Sequence, residues 1–379
     1  MKKCVLLAIL MLMGCEAGSA ATQTGGRING SQENNEDVIA VRAAIEEYFD
    51  LIYKERSTGI TESFRHLIAD TKTGQELIAT EQRRREIDLY SMVLYNNLYK
   101  SYRYWLEYQH VEVSEQTAEA HLLEHNRTRS FHDPSVESAL GGLEHVFALR
   151  KDSDGRWLIE RDDYETILTK ALDQGEPIEI IKARIKEQHD LDQQTSLTYE
   201  AQELQHEAVP KTLWWSWSPE RTVGYARHWA LSANPEYADF SEMGGDCTNF
   251  VSQAIRAGGN RSDTIGIIDR NKWYYNNIND RSPSWTGVNQ FYLYLTRDLS
   301  GEEAFEGPMA YMVSREDAEP GDIIQMKWSL FRYDHTVIIT KIKDGRIYYS
   351  GHSTPRLDYD LSRVRGIIGF RFIAIAVMS

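Results

Sequence analysis

From Asp37 the chain repeats apolar residues at helical spacing, and Val38, Val41, Ala44, Ile45, Tyr48, Phe49 and Ile52 fall on one face of VIAVRAAIEEYFDLIYKER, the pattern of an amphipathic helix. A second helix is predicted from Gln75 to Leu98. Beyond it the period drops to two. YRYWLEYQHVEV, TAEAHLLEHNRTRSF, GGLEHVFALRKDS and, after a turn at Asp154-Gly155, RWLIERDDYE read as long strands. Two helices followed by an antiparallel meander make an α+β unit over residues 37–168. Residues 169–212 are charged and Gln-rich with a thin stripe of Ile178, Ile180, Ile181 and Ile185, which predicts a linking helix or hinge. In residues 213–379 the pattern starts again. Ser218 and Pro219 open a helix whose Val223, Ala226 and Ala230 share a face, and MGGDCTNFVSQAIRAGG places Phe250, Val251, Ala254 and Ile255 on the apolar side of another. IIQMKW, HTVIITKI, RIYYSGHS and IIGFRFIAIAV follow as short β-rich runs, so this half is read as helices first and antiparallel sheet after. Trp214, Trp215 and Trp217 are expected to form a packing seam between the two units, with the lining of a cleft as the other reading.

The first 20 residues change the setting. MKKCVLLAILMLMGCEAGSA has two lysines, a short apolar run and small residues, as in a secretory leader. Leu12-Met13-Gly14-Cys15 is similar to a lipoprotein processing site, which predicts lipidation of Cys15 and a protein lipid-anchored to the outer face of the cell membrane. Cleavage after Gly18-Ser19-Ala20 would instead give a secreted protein. Residues 21–36 are polar, Gly-rich and aperiodic, the composition of a flexible tether. The formal charge of −15, two units more negative without Lys2 and Lys3, argues against nucleic-acid binding. Oligomeric state is not readable, and membrane contact is expected only through the lipid.

Either cleavage discards Cys4, and Cys15 is discarded or lipidated, so Cys247 remains as the one free thiol and an internal disulfide is excluded. Its place matters more than its number. Gly244-Gly245 allows a tight turn, and Asp246 or Cys247 then stands at the helix entrance, where unpaired amides and the helix dipole favour a thiolate. Asp246 is expected to cap the helix. The same amides suit an oxyanion. A thiolate nucleophile needs an imidazole. The histidines of the first half lie in predicted strands. Those of HLLEH stand roughly 13 Å apart in extended chain, which suits no metal site. In HTVIITKIKDGRIYYSGH, a two-residue turn at Asp344-Gly345 sets Val337 opposite His352. His335 then lies diagonal to His352 on the same sheet face, roughly 7 to 8 Å away. Asp334 is expected on the opposite face.

GGDCTNFVSQAIRAGG, WYYNNINDRSPSWTGV, EPGDIIQMKW, DHTVIIT and SGHSTPRLDYDLS, in that order, resemble the putative amidase domain of Gram-positive bacteria, itself similar to the CHAP and NlpC-type hydrolases of the papain-like fold. The first unit resembles the cone-shaped, nuclear-transport-factor-like (NTF2-like) domains found ahead of exported enzymes. The resemblance implies Cys247 as nucleophile, His335 as general base and then acid, and His352 as the residue orienting His335, with Asp334 and Asp358 as other candidates for that third role. Asp246, Trp273 and Trp285 are candidate substrate contacts. No metal or other cofactor is expected. The function implied is an extracytoplasmic cysteine amidase or endopeptidase acting on peptidoglycan or a peptide. The alternative is a surface-anchored ligand- or partner-binding lipoprotein whose amidase-like half has no turnover.

Overall fold

The computed structural model describes residues 35–376 apart from 174, 188, 191–216, 244, 260–271, 298–306, 329–331, 366 and 368. The leader, Cys15, most of the tether, Trp214 and Trp215 lie outside the described residues.

Helix α1 (Asn35–Thr58) buries Val41, Ile45, Tyr48, Phe49 and Tyr53, the face its periodicity marks. Helix α2 (Lys72–Leu94) starts earlier than its apolar pattern indicates because Thr71 caps it, accepting a bond from the Gly74 amide. It also stops earlier, and Asn96, with a positive φ, turns the chain toward the sheet. Strands β1 (Tyr99–Val113), β2 (Thr117–Ser130), β3 (Ser138–Lys151) and β4 (Trp157–Asp163) form the predicted antiparallel meander. Its inner face and α1 enclose a core that includes Phe64, Phe147 and Trp157. Helix α3 (Ile167–Asp173) and helical residues 178–187 dock on α2 through Leu172, Ile181 and Ile185, which pack with Ile87. Ile180 of the expected stripe is exposed.

The C-terminal half contributes α4 (Pro219–Trp229), α5 (Cys247–Ala257), β5 (Tyr275–Asn277), β6 (Asp280–Arg281), α6 (Pro283–Thr286) and α7 (Val288–Leu295). It ends in β7 (Ala310–Val313), β8 (Ile323–Lys327), β9 (His335–Lys343), β10 (Arg346–Gly351), β11 (Arg356–Asp360) and β12 (Gly369–Ile375). Side-chain alternation assigns the two faces of this sheet. Ile323, Ile338, Ile373 and Ile375 pack with Phe250, Val251, Ala254 and Ile255 of α5. Ile324, Met326, Val337, Ile339, Tyr349 and Phe372 form the opposite face. The fold is a mixed helix and antiparallel-sheet (α+β) structure, and no described helix is long and apolar enough to cross a membrane.

Apart from β5 and β6, which pair only with each other, the described strands of both halves belong to one sheet, in the order β1-β2-β3-β11-β10-β9-β8-β12-β7, with β4 also on β3. One edge of β3 serves two partners: β4 pairs with its end, from Val146 to Lys151, and β11 with Ala139 and Leu140 near its start. Gly142, at φ +68°, lies between the two pairings and lets the strand bend there. The join is short, and polar contacts extend it. Ser138 Oγ donates to Asp358 O at 2.8 Å, Asn97 Nδ2 to Ser362 Oγ at 2.7 Å, and Lys343 pairs with Asp133 at 2.7 Å. Trp217, expected in a seam between the units, instead sits in the core beside α5, with its indole N–H on Thr222 Oγ1 at 2.9 Å. Closely approaching backbone at Gly258 and Gly321 leaves the ring room there.

Candidate active site

Cys247 is the first residue of α5 and a free, buried thiol. Two positive-φ residues shape the entrance. Gly245 has φ +111° and Ser353, on the turn after β10, has φ +76°. A Cβ at Gly245 would stand 3.0 Å from the Ser353 hydroxyl, so only glycine lets the two loops meet this closely. Ser353 Oγ accepts from the Asp246 amide at 3.2 Å and also hydrogen-bonds the Cys247 sulfur.

Asp246 occupies the cap position, yet its side chain makes no capping bond. This corrects the expected capping role, and the reason is competition from better-placed partners. Oδ1 accepts from the Phe240 amide at 2.9 Å and from Asn249 Nδ2 at 2.7 Å, while Oδ2 meets His352 Nδ1 at 2.7 Å. The carboxylate therefore leaves the first-turn amides alone, and the Thr248 amide turns to the sulfur.

His352 lies elsewhere than expected. The predicted register holds for Arg346↔Lys343, Ile347↔Ile342 and Tyr348↔Lys341, then shifts by one so that Tyr349 faces Ile339. Thr340 is the extra residue, a β-bulge. The shift carries His352 to the face occupied by α5, where its ring stacks on Phe250 with centroids 4.1 Å apart. Nε2 meets the Trp229 carbonyl at 2.8 Å. Carboxylate and carbonyl both accept, so the ring donates from both nitrogens when both bonds form. Neither nitrogen is left for His335, and the expected orienting bond is replaced by a clamp on the helix entrance.

His335 opens β9, opposite Met326 of β8 and so on the sheet face of Met326 and Val337 rather than that of α5, with its ring centroid 6.0 Å from that of Trp328. The next residue fixes it relative to the thiol. The Thr336 amide hydrogen-bonds the Cys247 sulfur, and Thr248 Oγ1 donates to Thr336 Oγ1 at 3.2 Å. Cys247 and His335 line one cavity of about 580 Å3 together with Trp328, Asp334 and Ser353. Burial pushes the Cys247 thiol up; bonds from the Thr336 amide, the Thr248 and Ser353 hydroxyls and the Thr248 amide oppose it only in part. Burial thus works against the anion that the helix position alone favours.

The other candidates fall as follows. Asp334 shares the cavity with His335 rather than facing away from it, because β9 begins at His335 and strand alternation does not extend to 334. Its carboxylate accepts from Arg332 Nε at 2.8 Å. Asp358 is held by Thr340 Oγ1 at 2.8 Å and by Arg227 at 2.7 Å. Trp273 and Trp285 are fully buried, with ring centroids 4.7 Å apart, and their indole N–H groups donate to Ser252 Oγ and Asn249 Oδ1. They pack α5 in place and are not among the residues that line this cavity. Sequence reasoning missed Thr248, Thr336 and Ser353. The repeated Cys-Thr and His-Thr pairs were the available signal, since the two threonine hydroxyls bond each other.

Residues 216–373 match the family described as "Putative amidase domain". The C-terminal half carries a putative amidase domain. The match supports hydrolysis of an amide. Among curated proteins, the chain is 30% identical over 126 residues to the uncharacterized protein YhbB of Bacillus subtilis, covering 33% of this chain and 37% of that protein. It is 26% identical over 170 residues to the uncharacterized protein YjcM of the same organism, covering 44% and 38%. The chain thus spans less than two fifths of the length of either relative. Among solved structures, a conserved protein from Planctomyces limnophilus aligns at 15% identity over 34% of this chain and 94% of its own, with a TM-score of 0.24.

Proposed function

We propose that this protein is a cysteine-dependent amidohydrolase in which Cys247 attacks the amide carbonyl and His335 manages the proton. The observation that supports this best is the junction of α5 and β9: the sulfur at the helix entrance accepts a bond from the amide next to His335, and both residues open on one cavity. With burial holding the thiol up, deprotonation accompanies attack in this scheme. His335 takes the S–H proton as the C–S bond forms, the first-turn amides of α5 hold the oxyanion, and His335 returns the proton to the departing amine. Water then cleaves the thioester, releasing a carboxylate and restoring the thiol. His352 and Asp246 position the helix entrance and take no proton in this scheme.

Further parts of the reading are proposals of the same kind: a papain-like arrangement of CHAP or NlpC type in the C-terminal half, an NTF2-like cone in the first half, and export through a leader with lipidation at Cys15. Peptidoglycan, through its sugar-to-peptide amide or a stem-peptide bond, is the proposed substrate. Purified wall fragments incubated with the wild-type chain and with Cys247→Ala test the function. New amine ends and smaller fragment masses are expected with wild type only; release by both forms, or by neither, overturns the proposal.

A further inference from the structure

The cavity that opens at Cys247 does not end in the C-terminal half. Its wall runs from Ser353 and Thr354 along β11 to Arg356 and Tyr359, then to Arg363 and Arg365, and is closed by Arg56 and Asp88 from α1 and α2. Ser353 bonds the sulfur, and Arg356 follows it by at most roughly 10 Å of extended chain.

The charges at this inner end do not balance locally. Arg356 lies over the Tyr359 ring at 4.0 Å and Arg363 over the same ring at 4.4 Å. The carboxylates that reach these arginines are already engaged: Asp88 accepts from Arg56 Nε at 2.9 Å, and Asp360 pairs with Arg346 at 2.9 Å. Among the described residues Arg356, Arg363 and Arg365 form no ion pair of their own. Arg365 is 6% exposed, and its Nε and Nη2 have no hydrogen-bond partner. Such groups ordinarily find one when buried, and these belong to a side chain that lines the cavity. Burial raises the Tyr359 hydroxyl, but the fields of Arg356, Arg363 and Arg365 pull it below the ordinary tyrosine value, which reports the same excess of positive charge.

We infer that this inner end is a carboxylate-binding subsite of the Cys247 cleft, so that the substrate is an amide whose peptide portion carries a free carboxylate within reach of Arg356 and Arg365. The inference rests on the amidohydrolase reading of Cys247. A guanidinium recognises a carboxylate in a planar, two-bond geometry, and the cavity volume is that of a site for a small peptide. A carboxylate is favoured over a phosphate because Asp88 and Glu124 line the same space and repel the two charges that a phosphate concentrates on one group. The first half of the chain thereby gains a part in recognition, since it supplies the far wall.

The probe is N-acetyl-Ala-Glu, titrated calorimetrically into the full chain, with its bis-amide and inorganic phosphate as separate arms. Binding of the dicarboxylate to wild type and to Cys247→Ala alike is expected, with at least a tenfold loss in Arg365→Met and in Arg356→Met and no binding of the bis-amide. Arg365→Met should not lower the melting temperature, because it removes a buried charge with no ion pair among the described residues, whose bonds are only those of Nη1 to the Ser362 and Val364 carbonyls; a merely structural arginine would show the reverse. Equal binding of the bis-amide, phosphate binding as tight as the probe, no binding of the probe, or undiminished binding in Arg365→Met overturns the subsite. Probe binding without amide turnover leaves the subsite and removes the amidohydrolase reading. Turnover indifferent to the carboxylate does the opposite.

Discussion

Replacing Asp246 with alanine tests the division of labour between the clamp and the chemistry. The carboxylate is 2% exposed and serves three donors: the Phe240 amide, Asn249 Nδ2 and His352 Nδ1. Asn249 keeps a second acceptor in the Ala238 carbonyl at 3.0 Å, so two donors are left without a partner. Breaking a buried pair of this kind costs roughly 3–5 kcal/mol, a large share of a total stability of about 5–15 kcal/mol. The melting temperature should fall on the order of 5–10 °C. Asp246→Asn is the informative companion. Its amide oxygen still receives the Phe240 N–H, and its NH2 can donate to His352 Nδ1 in the neutral ring, which keeps its Nε2 bond to Trp229. That variant should lose only about 1 kcal/mol and retain turnover within about tenfold. Differential scanning calorimetry and release of amine from wall fragments read the two effects separately. If Asp246→Asn melts like wild type yet loses turnover about a thousandfold, the range of an essential acid–base group, Asp246 and His352 belong to the proton path and the positioning role assigned to them is wrong.

Iodoacetamide labelling of Cys247 in the free protein should follow a midpoint above the ordinary thiol range, and Ser353→Ala should move it further up by removing an opposing hydrogen bond; rapid labelling unchanged down to about pH 5 would instead indicate a preformed thiolate. His145 supplies a stability test in the first half. Burial lowers its pKa, but Asp162 at 2.8 Å and Glu124 at 3.3 Å more than offset this and push it up to about 10. A raised value means that its stabilisation is full below the unfolded value of about 6.5 and fades as pH climbs through 10. Urea unfolding should therefore show stability declining across that window, and His145→Gln should flatten the decline; an equally steep decline in the variant refutes the assignment. Trp285→Ala should cost about 3–5 kcal/mol as a core truncation, read by denaturant titration, and loss of substrate affinity at undiminished stability would return this ring to the cleft.

The parts of the fold legible in the sequence were those set by short-range pattern. The stripe from Val41 to Phe49 specified α1, the period-two runs specified β1 to β4, and the glycines before Cys247 placed a thiol at a helix entrance. What stayed hidden depended on distant partners. The Asp344-Gly345 turn sets pairing only as far as the bulge at Thr340, and nothing local in TKIKDGRIYY announces that extra residue. Aromatic residues signal burial without saying against what, so Trp273 and Trp285 read equally well as cleft or core. Ala139 and Leu140 are ordinary strand residues until β11 arrives to pair with them. The arginines of the inner cavity are spread from α1 to the end of β11 and beyond, and only the shared sheet brings them together.

The covalent step at Cys247 is the centre of the proposed chemistry. Wild-type enzyme acid-quenched while turning over wall fragments, then examined by intact mass and peptide mapping, should carry an acyl adduct on Cys247, and His335→Ala should slow its formation by about a hundredfold or more. Turnover with no adduct at Cys247, or adduct formation at the wild-type rate in His335→Ala, would contradict the proposed chemistry.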